Sequence, residues 1–300
     1  MTLNTSTTLS SISLASLMML AAAPVMATEG GSSIYPNGAE NYMVGALPPP
    51  GVYYLLYGSR YEASTLRDNN GNKVPLDFNV KASALVPRVT WVTDKKILGG
   101  QLAFYAFAPL VDVKVRVGSV SASDSGLGDM TFGGGLGYHA SPNLHYAFAV
   151  DVNAPTGRYD KNALANVGRN YWNAEPFFAL TYVQGTGFNG DIKVMYDFNA
   201  RNKDTDYRSG QELHADFSAG WAFGNGWTVG VGGYAYQQTT SDKQAGQEVP
   251  NNRGRAFALG PSIKYDNGKG WFITAKLEEE FSVRNRAEGG GLKIKAVLPF

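Results

Sequence analysis

Residues 292–300, Leu-Lys-Ile-Lys-Ala-Val-Leu-Pro-Phe, end the chain with alternating side chains. Apolar residues occupy every second position from Leu292 to Phe300, and Lys293 and Lys295 stand between the first of them. Because a β-strand turns successive side chains to opposite faces, this segment predicts a strand with one apolar and one charged face. The same alternation recurs in residues 111–117, 191–198 and 212–221. The chain is therefore predicted to be all-β and antiparallel.

Short and long connections alternate along the chain from Gly51 onward. Short turns are predicted at Thr93–Lys96, Ala140–Asn143, Gly185–Gly187, Gly224–Gly226 and Asp266–Gly270. Long polar loops are predicted at about 65–76, 119–126, 156–170, 201–209, 241–253 and 284–289. Six long loops and five short turns join twelve strands. In an outer-membrane β-barrel an even number of strands brings both ends of the chain to the periplasmic side.

Strand length and charge favour a membrane protein. Many predicted strands have about 10 to 15 residues. A tilted membrane strand needs about 9–11 residues, whereas a strand of a soluble protein usually has about 5–6, so these strands are long enough to cross a membrane. A soluble β-sandwich or lipocalin-like barrel would bury the charged faces, at several kcal/mol per unpaired ion. A water-filled lumen avoids this cost. Residues 51–300 are therefore predicted to form an antiparallel transmembrane β-barrel of about 12 strands with a polar lumen.

Two places leave the strand assignment open. The stretch Leu98–Gly118 is long and contains Pro109, so it is either one strand with a bulge or bend at the proline, or two strands. Glu279 falls on the lipid-facing side of its predicted strand, near the outer rim, where a charge costs little.

The N-terminus is typical of an exported protein. Leu9–Ala27 is largely apolar and ends in Val25-Met26-Ala27, so residues 1–27 are predicted to be a signal peptide cleaved after Ala27. No Lys or Arg precedes Arg60, which departs from the usual pattern. The uninterrupted apolar part, Leu17–Ala27, is too short for a spanning helix. The predicted location is the outer membrane of a Gram-negative bacterium.

Residues 28–50 do not alternate and are predicted to form an irregular arm. They contain Gly30-Gly31, the turn-forming Tyr35-Pro36-Asn37-Gly38, and the stretch Pro48-Pro49-Pro50. The arm is predicted to be either a periplasmic tail or a plug that folds into the lumen.

Composition excludes several classes of function. The net charge of +1 gives no general field for nucleic acid. The absence of cysteine excludes disulfides and thiol chemistry. Gly133-Gly134-Gly135 lies within a predicted strand, so it is not a phosphate loop, and no cofactor is predicted. The 36 glycines and 17 tyrosines instead suit a sheet protein with many turns and interfacial aromatics.

Six motifs together resemble the outer-membrane family named after the meta-pathway of phenol degradation. They are PPPG at 48–51, GLGD at 126–129, PTGRYD at 155–160, NVGRNYW at 166–172, DYRSGQE at 206–212 and VRNR at 283–286. The resemblance implies a barrel often encoded beside catabolic genes for aromatic compounds, and a role in passing small hydrophobic or aromatic ligands across the outer membrane. Phe300 also looks like the C-terminal aromatic residue that the barrel-assembly machinery recognises. Outer-membrane lipids are the other predicted partners.

The lumen face of the predicted strands carries nearly balanced charge. It contains seven basic and nine acidic groups besides one histidine: Asp112, Lys114, Arg116, Asp151, Glu175, Asp191, Lys193, Asp197, Glu212, His214, Asp216, Lys264, Lys276, Glu278, Glu280, Lys293 and Lys295. A charge-selective porin would have an excess of one sign. The balance predicts a narrow conduit, gated or plugged, for small molecules.

Aromatic residues in the outer loops and upper strands suggest where an apolar ligand enters. The candidates are Tyr159, Tyr171, Trp172, Tyr207, Tyr234 and Tyr236. The alternative is that they belong to the interfacial girdle, which is the better assignment for Trp221, Trp227 and Trp271 near the short turns.

Catalysis and metal binding are not predicted. His139 and His145 flank a short turn at the periplasmic rim, so only His214 has acidic neighbours, Glu212 and Asp216, on its face. A lumen charge ladder explains that arrangement better than a catalytic base does. Three scattered histidines without cysteine give no ligand spacing for a metal. The alternatives to a channel are a barrel with a structural or interaction role and an outer-membrane hydrolase.

Overall fold

A computed structural model describes residues 27–299 of the chain. The predicted signal peptide up to Met26 and the terminal Phe300 lie outside the described residues. After a 3-10 segment at Glu29–Gly31, the strands in chain order are β1 Gly51–Leu66, β2 Phe78–Ile97, β3 Gly100–Phe107, β4 Leu110–Val117, β5 Val120–Leu127, β6 Met130–His139, β7 Leu144–Ala154, β8 Asn173–Tyr182, β9 Thr186–Asn199, β10 Tyr207–Arg208, β11 Glu212–Phe223, β12 Trp227–Gln238, β13 Lys243–Gln244, β14 Gln247–Glu248, β15 Arg255–Asp266, β16 Phe272–Arg284 and β17 Ala287–Pro299. Within residues 27–299, no helix is long and apolar enough to cross a membrane.

The long strands close into one antiparallel barrel. Strand β1 pairs with β17 on one side and with β2 on the other, which joins the first strand to the last. Two of the wall strands are each interrupted and consist of two halves, β3 with β4 and β5 with β6. Strands β3 and β4 pair with successive parts of β2, while β6 pairs with β3 and β5 pairs with β4. These halves make two bent wall strands, and with the ten other long strands they give the predicted twelve. The end that carries the long loops is called the outer end below.

Pro109 bends a single wall strand without changing its register. Arg88 of β2 lies opposite Phe107, and Leu85 lies opposite Leu110, so three steps along one strand match three steps along the other. Because proline lacks the N–H that a ladder needs, pairing lapses only around Pro109 itself. Of the two predicted alternatives, one bent strand is correct.

The neighbouring wall strand contains the bulge. Leu127 lies opposite Leu110, and Thr131 lies opposite Phe107, so four steps on β5 and β6 face three on β3 and β4. The extra residue falls at Gly128-Asp129. A bulge of this kind bends its strand and increases the local twist, so the bend in this part of the wall has causes on both strands.

Three predicted connections differ from the structure. The predicted loop 119–126 is mostly strand β5, joined to β4 by a tight turn at residues 118–119. The predicted loop 284–289 is a two-residue turn between β16 and β17, and β2 runs through the predicted turn Thr93–Lys96 to Ile97. Ser121, Ser123 and Ser125 imitate a loop in composition, yet they alternate on the exposed face of a paired strand.

The outer surface of the wall is apolar and the inner surface is polar. Exposed large apolar side chains, such as Trp91 at 55% and Leu277 at 56%, occur on nearly every long strand. The alternate positions of the same strands are buried and carry carboxylates, amides and lysines. Glu279 is exposed on the outward face of β16. This inversion relative to a soluble protein is the pattern that a bilayer outside and polar contents inside require.

Candidate functional site

The irregular arm, residues 27–50, runs through the barrel from end to end. At the outer end Glu29 accepts hydrogen bonds from Asn202 Nδ2 at 3.0 Å and Tyr159 Oη at 3.1 Å, both in outer loops. At the other end the Pro49 carbonyl accepts one from Tyr53 Oη at 2.9 Å, near the start of β1. Between these ends, backbone N–H groups of the arm donate to inward-facing side chains of β8, β9 and β11.

Asp216 of β11 holds the middle of the arm. Its carboxylate accepts hydrogen bonds from Tyr35 Oη at 2.5 Å, Gly38 N at 2.8 Å and Glu40 N at 2.9 Å. Gly38 has φ +78° in a turn closed by Ala39 N and the Pro36 carbonyl, and a Cβ there would overlap the Glu278 carboxylate. The predicted turn at Tyr35–Gly38 is thus shaped to present donors to one buried carboxylate.

Glu40 brings the arm's own charge into contact with the wall. Its carboxylate lies 2.9 Å from Lys295 Nζ and 3.8 Å from Arg88 Nη1, and it accepts a hydrogen bond from Tyr57 Oη at 3.0 Å. Lys295 also donates to the Tyr42 carbonyl at 2.8 Å. The wall cations here are paired with the arm, so removal of the arm would leave them without these partners.

Residues 42–45 of the arm are held through their backbone. Tyr42 N donates to Ser218 Oγ at 3.2 Å, Val44 N to Asp191 Oδ1 at 3.1 Å, and Gly45 N to Thr181 Oγ1 at 2.9 Å. A Cβ at Gly45 would lie 2.9 Å from the carbonyl oxygen of Ala179. The arm therefore packs directly on the backbone of β8.

A second polar cluster surrounds His214 on the inner wall. His214 Nε2 lies 2.8 Å from Asp197 Oδ2, and Lys193 Nζ lies 3.6 Å from Glu175 Oε1. Ligand atoms of Glu175, Asp197 and His214 lie within 4.8 Å of one another, a spacing that a metal ion could bridge. Lys193 already supplies a cation to this cluster, and its Nζ also lies 4.7 Å above the Tyr35 ring of the arm. The arrangement is a buried charge network that supports the arm.

Three lumen candidates on β4 are wrong. Asp112, Lys114 and Arg116 are exposed, and they share the outward face with Leu110. The valines between them face inward, where Val117 packs on a small apolar cluster with Phe78. The register continues from β3 through Pro109, so the outward side of β4 stays outward although its residues become polar. The prediction assumed that the apolar face of a strand is always the outward one, whereas the outward face of β4 carries the charged side chains.

The other candidates for the lumen lie on inward-facing positions of the wall. They are Asp151, Glu175, Asp191, Lys193, Asp197, Glu212, His214, Asp216, Lys264, Lys276, Glu278, Glu280, Lys293 and Lys295. All except Glu280 are buried, and Glu280 accepts hydrogen bonds from Tyr61 Oη at 2.8 Å and Gly289 N at 2.8 Å. The structure brings Asp216, Lys276 and Glu278 to the arm, and Glu175, Lys193, Asp197 and His214 to the second cluster.

Comparison with family models gives a match over residues 63–296 to the family described as "Putative MetA-pathway of phenol degradation". The chain belongs to this family. Comparison with curated protein sequences found no match.

Three solved structures are similar to this chain to different degrees. An outer membrane channel from Pseudomonas putida F1 is 18% identical, with a TM-score of 0.74 over 87% of this chain and 99% of that chain. The translocator domain of the autotransporter NalP from Neisseria meningitidis is 9% identical, with a TM-score of 0.48 over 85% and 91%. The CymD monoaromatic hydrocarbon channel is 10% identical, with a TM-score of 0.45 over 84% and 89%. The first of these shows that the chain has the fold of an outer-membrane β-barrel.

Three of the sequence motifs quoted above meet at the bulged wall strand. Asp129 of the GLGD motif accepts a hydrogen bond from Gly157 N at 2.8 Å and another from Arg169 N at 2.7 Å. A Cβ at Gly157 would lie 2.8 Å from Gly168 Cα and 2.9 Å from the carbonyl carbon of Gly128. The glycines thus permit close backbone packing, and Asp129 ties the outer loop 155–172 to the bend.

The aromatic candidates do not form one exposed site for a ligand. Tyr171, Tyr234 and Tyr236 are buried, whereas Trp172 is 56% exposed on the outside. Tyr159 and Tyr207 point into the loop cluster, where burial and the Glu29 charge raise the pKa of Tyr159 to about 12. Trp221, Trp227 and Trp271 are exposed near the short turns. The six candidates therefore do not lie together on one exposed surface, and their part in ligand entry stays a prediction.

Several residues that line the lumen were not predicted from the sequence. Arg88 stacks over the Tyr105 ring at 3.9 Å, and Tyr105 Oη donates to Asp151 at 2.5 Å. Arg286 lies 4.1 Å from the Tyr236 ring and donates to Ser33 Oγ at 3.2 Å. The alternation of β2 carries the signal for Arg88, since it shares the inward parity of Thr90. Arg286 sits in a turn, where no period applies.

Proposed function

We propose that the protein is an outer-membrane channel for uptake of small hydrophobic or aromatic compounds, linked to aromatic catabolism. The observation that carries this proposal is the occupied lumen. Polar groups of the arm and of the barrel satisfy one another at several levels, from Glu29 to Gly45. An open porin keeps its lumen charges in water, so a filled lumen argues against general passage of hydrophilic solutes.

Family membership supports the choice of substrate class. The family is described by a pathway of phenol degradation, and the solved barrel from Pseudomonas putida F1 is itself described as an outer membrane channel. An apolar solute is also the class that gains most from a protein route, because it must otherwise cross the polar outer surface of the membrane.

The arm acts as a plug in this proposal, and the chain reaches its place by export. Residues 1–27 serve as the cleaved signal, and Phe300 engages the barrel-assembly machinery. The apolar belt contacts outer-membrane lipids. No catalytic step is assigned, because His214 is hydrogen-bonded to Asp197 within a buried network.

Uptake in a deletion strain tests the proposal. The strain lacking this protein, and the same strain carrying it on a plasmid, are given limiting radiolabelled naphthalene, with radiolabelled glucose as the hydrophilic control. We expect naphthalene uptake to fall in the deletion strain and to return with the plasmid, while glucose uptake stays constant. Equal naphthalene uptake in the three strains would contradict a channel function.

A structural or interaction barrel is the remaining alternative, and an outer-membrane hydrolase is the third. The former predicts unchanged uptake together with altered envelope integrity in the deletion strain, measured by release of a periplasmic enzyme. The hydrolase predicts that His214→Ala abolishes an esterase activity of the purified barrel. Loss of uptake without either effect favours the channel.

A further inference from the structure

The carboxylate of Asp242 is buried in the outer loops, away from the spanning strands. Its side chain is fully buried and accepts five hydrogen bonds. Four donors belong to the surrounding loops and the end of β12: Gly210 N at 2.6 Å, Gln238 Nε2 at 2.5 Å, Asn252 Nδ2 at 2.7 Å and Tyr207 Oη. The fifth donor is the backbone nitrogen of Thr28, 3.0 Å from Oδ2.

This carboxylate has no countercharge among the residues that the structure describes. All five donors are uncharged, and among residues 27–299 no lysine, arginine or histidine forms an ion pair with Asp242. Burial raises the pKa of the Asp242 carboxyl, although hydrogen bonds from Tyr207 and Gly210 oppose this. A buried charge is costly unless it is paired. The pocket therefore lacks one positive charge.

Thr28 is the residue that follows the predicted cleavage site. We propose that the Asp242 pocket is a binding site for a primary ammonium group, and that its ligand is the α-ammonium of Thr28 released by signal cleavage. The inference rests on cleavage after Ala27 and is independent of the transported compound. The nitrogen needs no movement, since it already lies within hydrogen-bond distance of Oδ2.

The covalent step is hydrolysis of the Ala27–Thr28 amide by a signal peptidase. One water is consumed: its oxygen and one proton go to the Ala27 carbonyl carbon as the amide bond breaks, and its other proton goes to the Thr28 nitrogen. The new carboxylic acid ionises, and the amine takes up that proton to become the ammonium. The leaving peptide carries the carboxylate away, and the positive charge stays with the arm.

Backbone conformation at Thr28 gives independent support. Thr28 has φ +63°, a left-handed value that is a strong outlier for a β-branched residue. The angle φ exists only while the Ala27 carbonyl carbon is attached to the Thr28 nitrogen. Cleavage of that bond removes the strained torsion and leaves the nitrogen beside Asp242.

The space left by Ala27 suits an ammonium group. Ala27 is fully buried, and its nitrogen donates to the Asn285 carbonyl at 2.7 Å. After cleavage this carbonyl faces the vacated space. The new terminus, already bonded to Asp242, can donate another hydrogen bond to this carbonyl, directly or through one water.

The processed terminus would link the arm to two outer loops. Thr28 binds Asp242 in loop 239–254, and Glu29 N donates to Ser209 Oγ at 3.0 Å in loop 200–211. An uncleaved or differently cleaved chain would present a neutral amide to Asp242. The outer end of the arm therefore gains an ion pair only in the correctly processed protein.

A double-mutant cycle tests the ion pair. Two mature chains, one beginning at Thr28 and one at Ala27, are refolded into detergent micelles with Asp242 intact and with Asp242→Asn. We expect the Thr28 start to slow unfolding at a fixed denaturant concentration by on the order of tenfold or more when Asp242 is present. With Asp242→Asn the two starts should unfold at rates within about twofold of each other.

The matched control is Asp206→Asn, which changes an exposed carboxylate paired with Arg201 at 2.8 Å in the adjacent loop. It should leave the effect of the starting residue unchanged. An equal effect of the starting residue with Asp242 and with Asp242→Asn would overturn the proposal. Should Asp242→Asn fail to fold, equal unfolding rates of the two wild-type starts would overturn it as well.

Periodate gives a second measurement on the protein purified from the outer membrane. It oxidises an N-terminal threonine, a 1,2-amino alcohol, to a glyoxylyl group that mass spectrometry detects. We expect the folded protein to resist and the urea-unfolded protein to react. If the unfolded protein does not react, the mature chain does not begin at Thr28 and the proposal is wrong. Rapid reaction of the folded protein would show an unbound terminus and would also overturn it.

Discussion

Asp216 connects the arm to the wall through three hydrogen bonds, from Tyr35, Gly38 and Glu40. Hydrogen bonds to a charged acceptor are stronger than neutral ones, and a buried donor that loses its acceptor costs about 1–3 kcal/mol. Asp216 is therefore one of the main polar contacts that position the arm.

Replacement of Asp216 by Asn should loosen the arm. The amide keeps the size of the side chain but removes its charge and presents N–H to one of the two backbone donors, Gly38 N or Glu40 N, at a cost of about 1–3 kcal/mol. Because the chain has no cysteine, Ala39→Cys supplies a single label site in the arm. We expect Asp216→Asn to raise the rate of its labelling by a water-soluble maleimide by about tenfold, which corresponds to about 1.4 kcal/mol.

The control for this measurement is Asp112→Asn in the same Ala39→Cys background, since Asp112 is exposed on the outer face. It should leave the labelling rate unchanged. Equal rates for Asp216→Asn and the wild-type carboxylate would contradict the role of Asp216.

Alanine substitutions at Gly38 and Gly246 separate the cost of backbone strain from the cost of side-chain overlap. The φ angles of the two glycines are +78° and +80°, but a Cβ overlaps Glu278 at Gly38 and meets open space at Gly246. Alanine in the left-handed region costs about 1–2 kcal/mol at either position. We expect Gly38→Ala to lower the free energy of unfolding by at least about 1 kcal/mol more than Gly246→Ala, because Glu278 must also move away from Lys276. Equal losses in denaturant titrations would show that the arm turn is not packed against Glu278.

Alternation predicted single lumen residues well where a strand crosses the membrane. The acidic and basic positions of β9, β11 and β16 are inward because lipid on the other side fixes the parity. The same argument gave the wrong face for Lys114, since water lies outside β4. Partners across the lumen, such as Glu40 and Lys295 at 2.9 Å, could not be predicted, because the arm has no period that fixes its position.

At the scale of elements, the bent pair of wall strands distinguishes this barrel from a regular one. Pro109 interrupts pairing on one strand, and the extra residue at Gly128-Asp129 bends the next. Beyond the bend, β4 and β5 extend past the end of β7, so their outward face meets water and carries charge. Sequence composition predicted the bend at Pro109 but mistook the serine-rich β5 for a loop.

Labelling of two single-cysteine variants at adjacent positions tests the orientation of β4. Lys114→Cys should react with a membrane-impermeant maleimide on intact cells, because Lys114 is exposed on the outward face. Val113→Cys should react at least about tenfold more slowly, since successive strand residues face opposite sides. Faster reaction at position 113 than at 114 would restore the lumen assignment of Lys114 that the sequence suggested.

At the scale of the whole molecule, the barrel and the arm form one charge-balanced unit. The wall alone would leave Lys295, Arg88 and Asp216 without their partners from the arm. The twelve-strand count and the polar lumen follow from the sequence, because a bilayer imposes strand length and alternation on every wall strand. The path of the arm does not, since it is set by hydrogen bonds to particular side chains.

Single-channel conductance in a planar bilayer tests most directly whether the arm fills the lumen. The wild-type protein is compared with a variant lacking residues 30–47, which retains all the wall strands. We predict small currents for the wild type and a conductance at least about tenfold larger for the variant, as expected when a polar lumen of this width fills with water. A wild-type conductance as large as that of the variant would contradict the account.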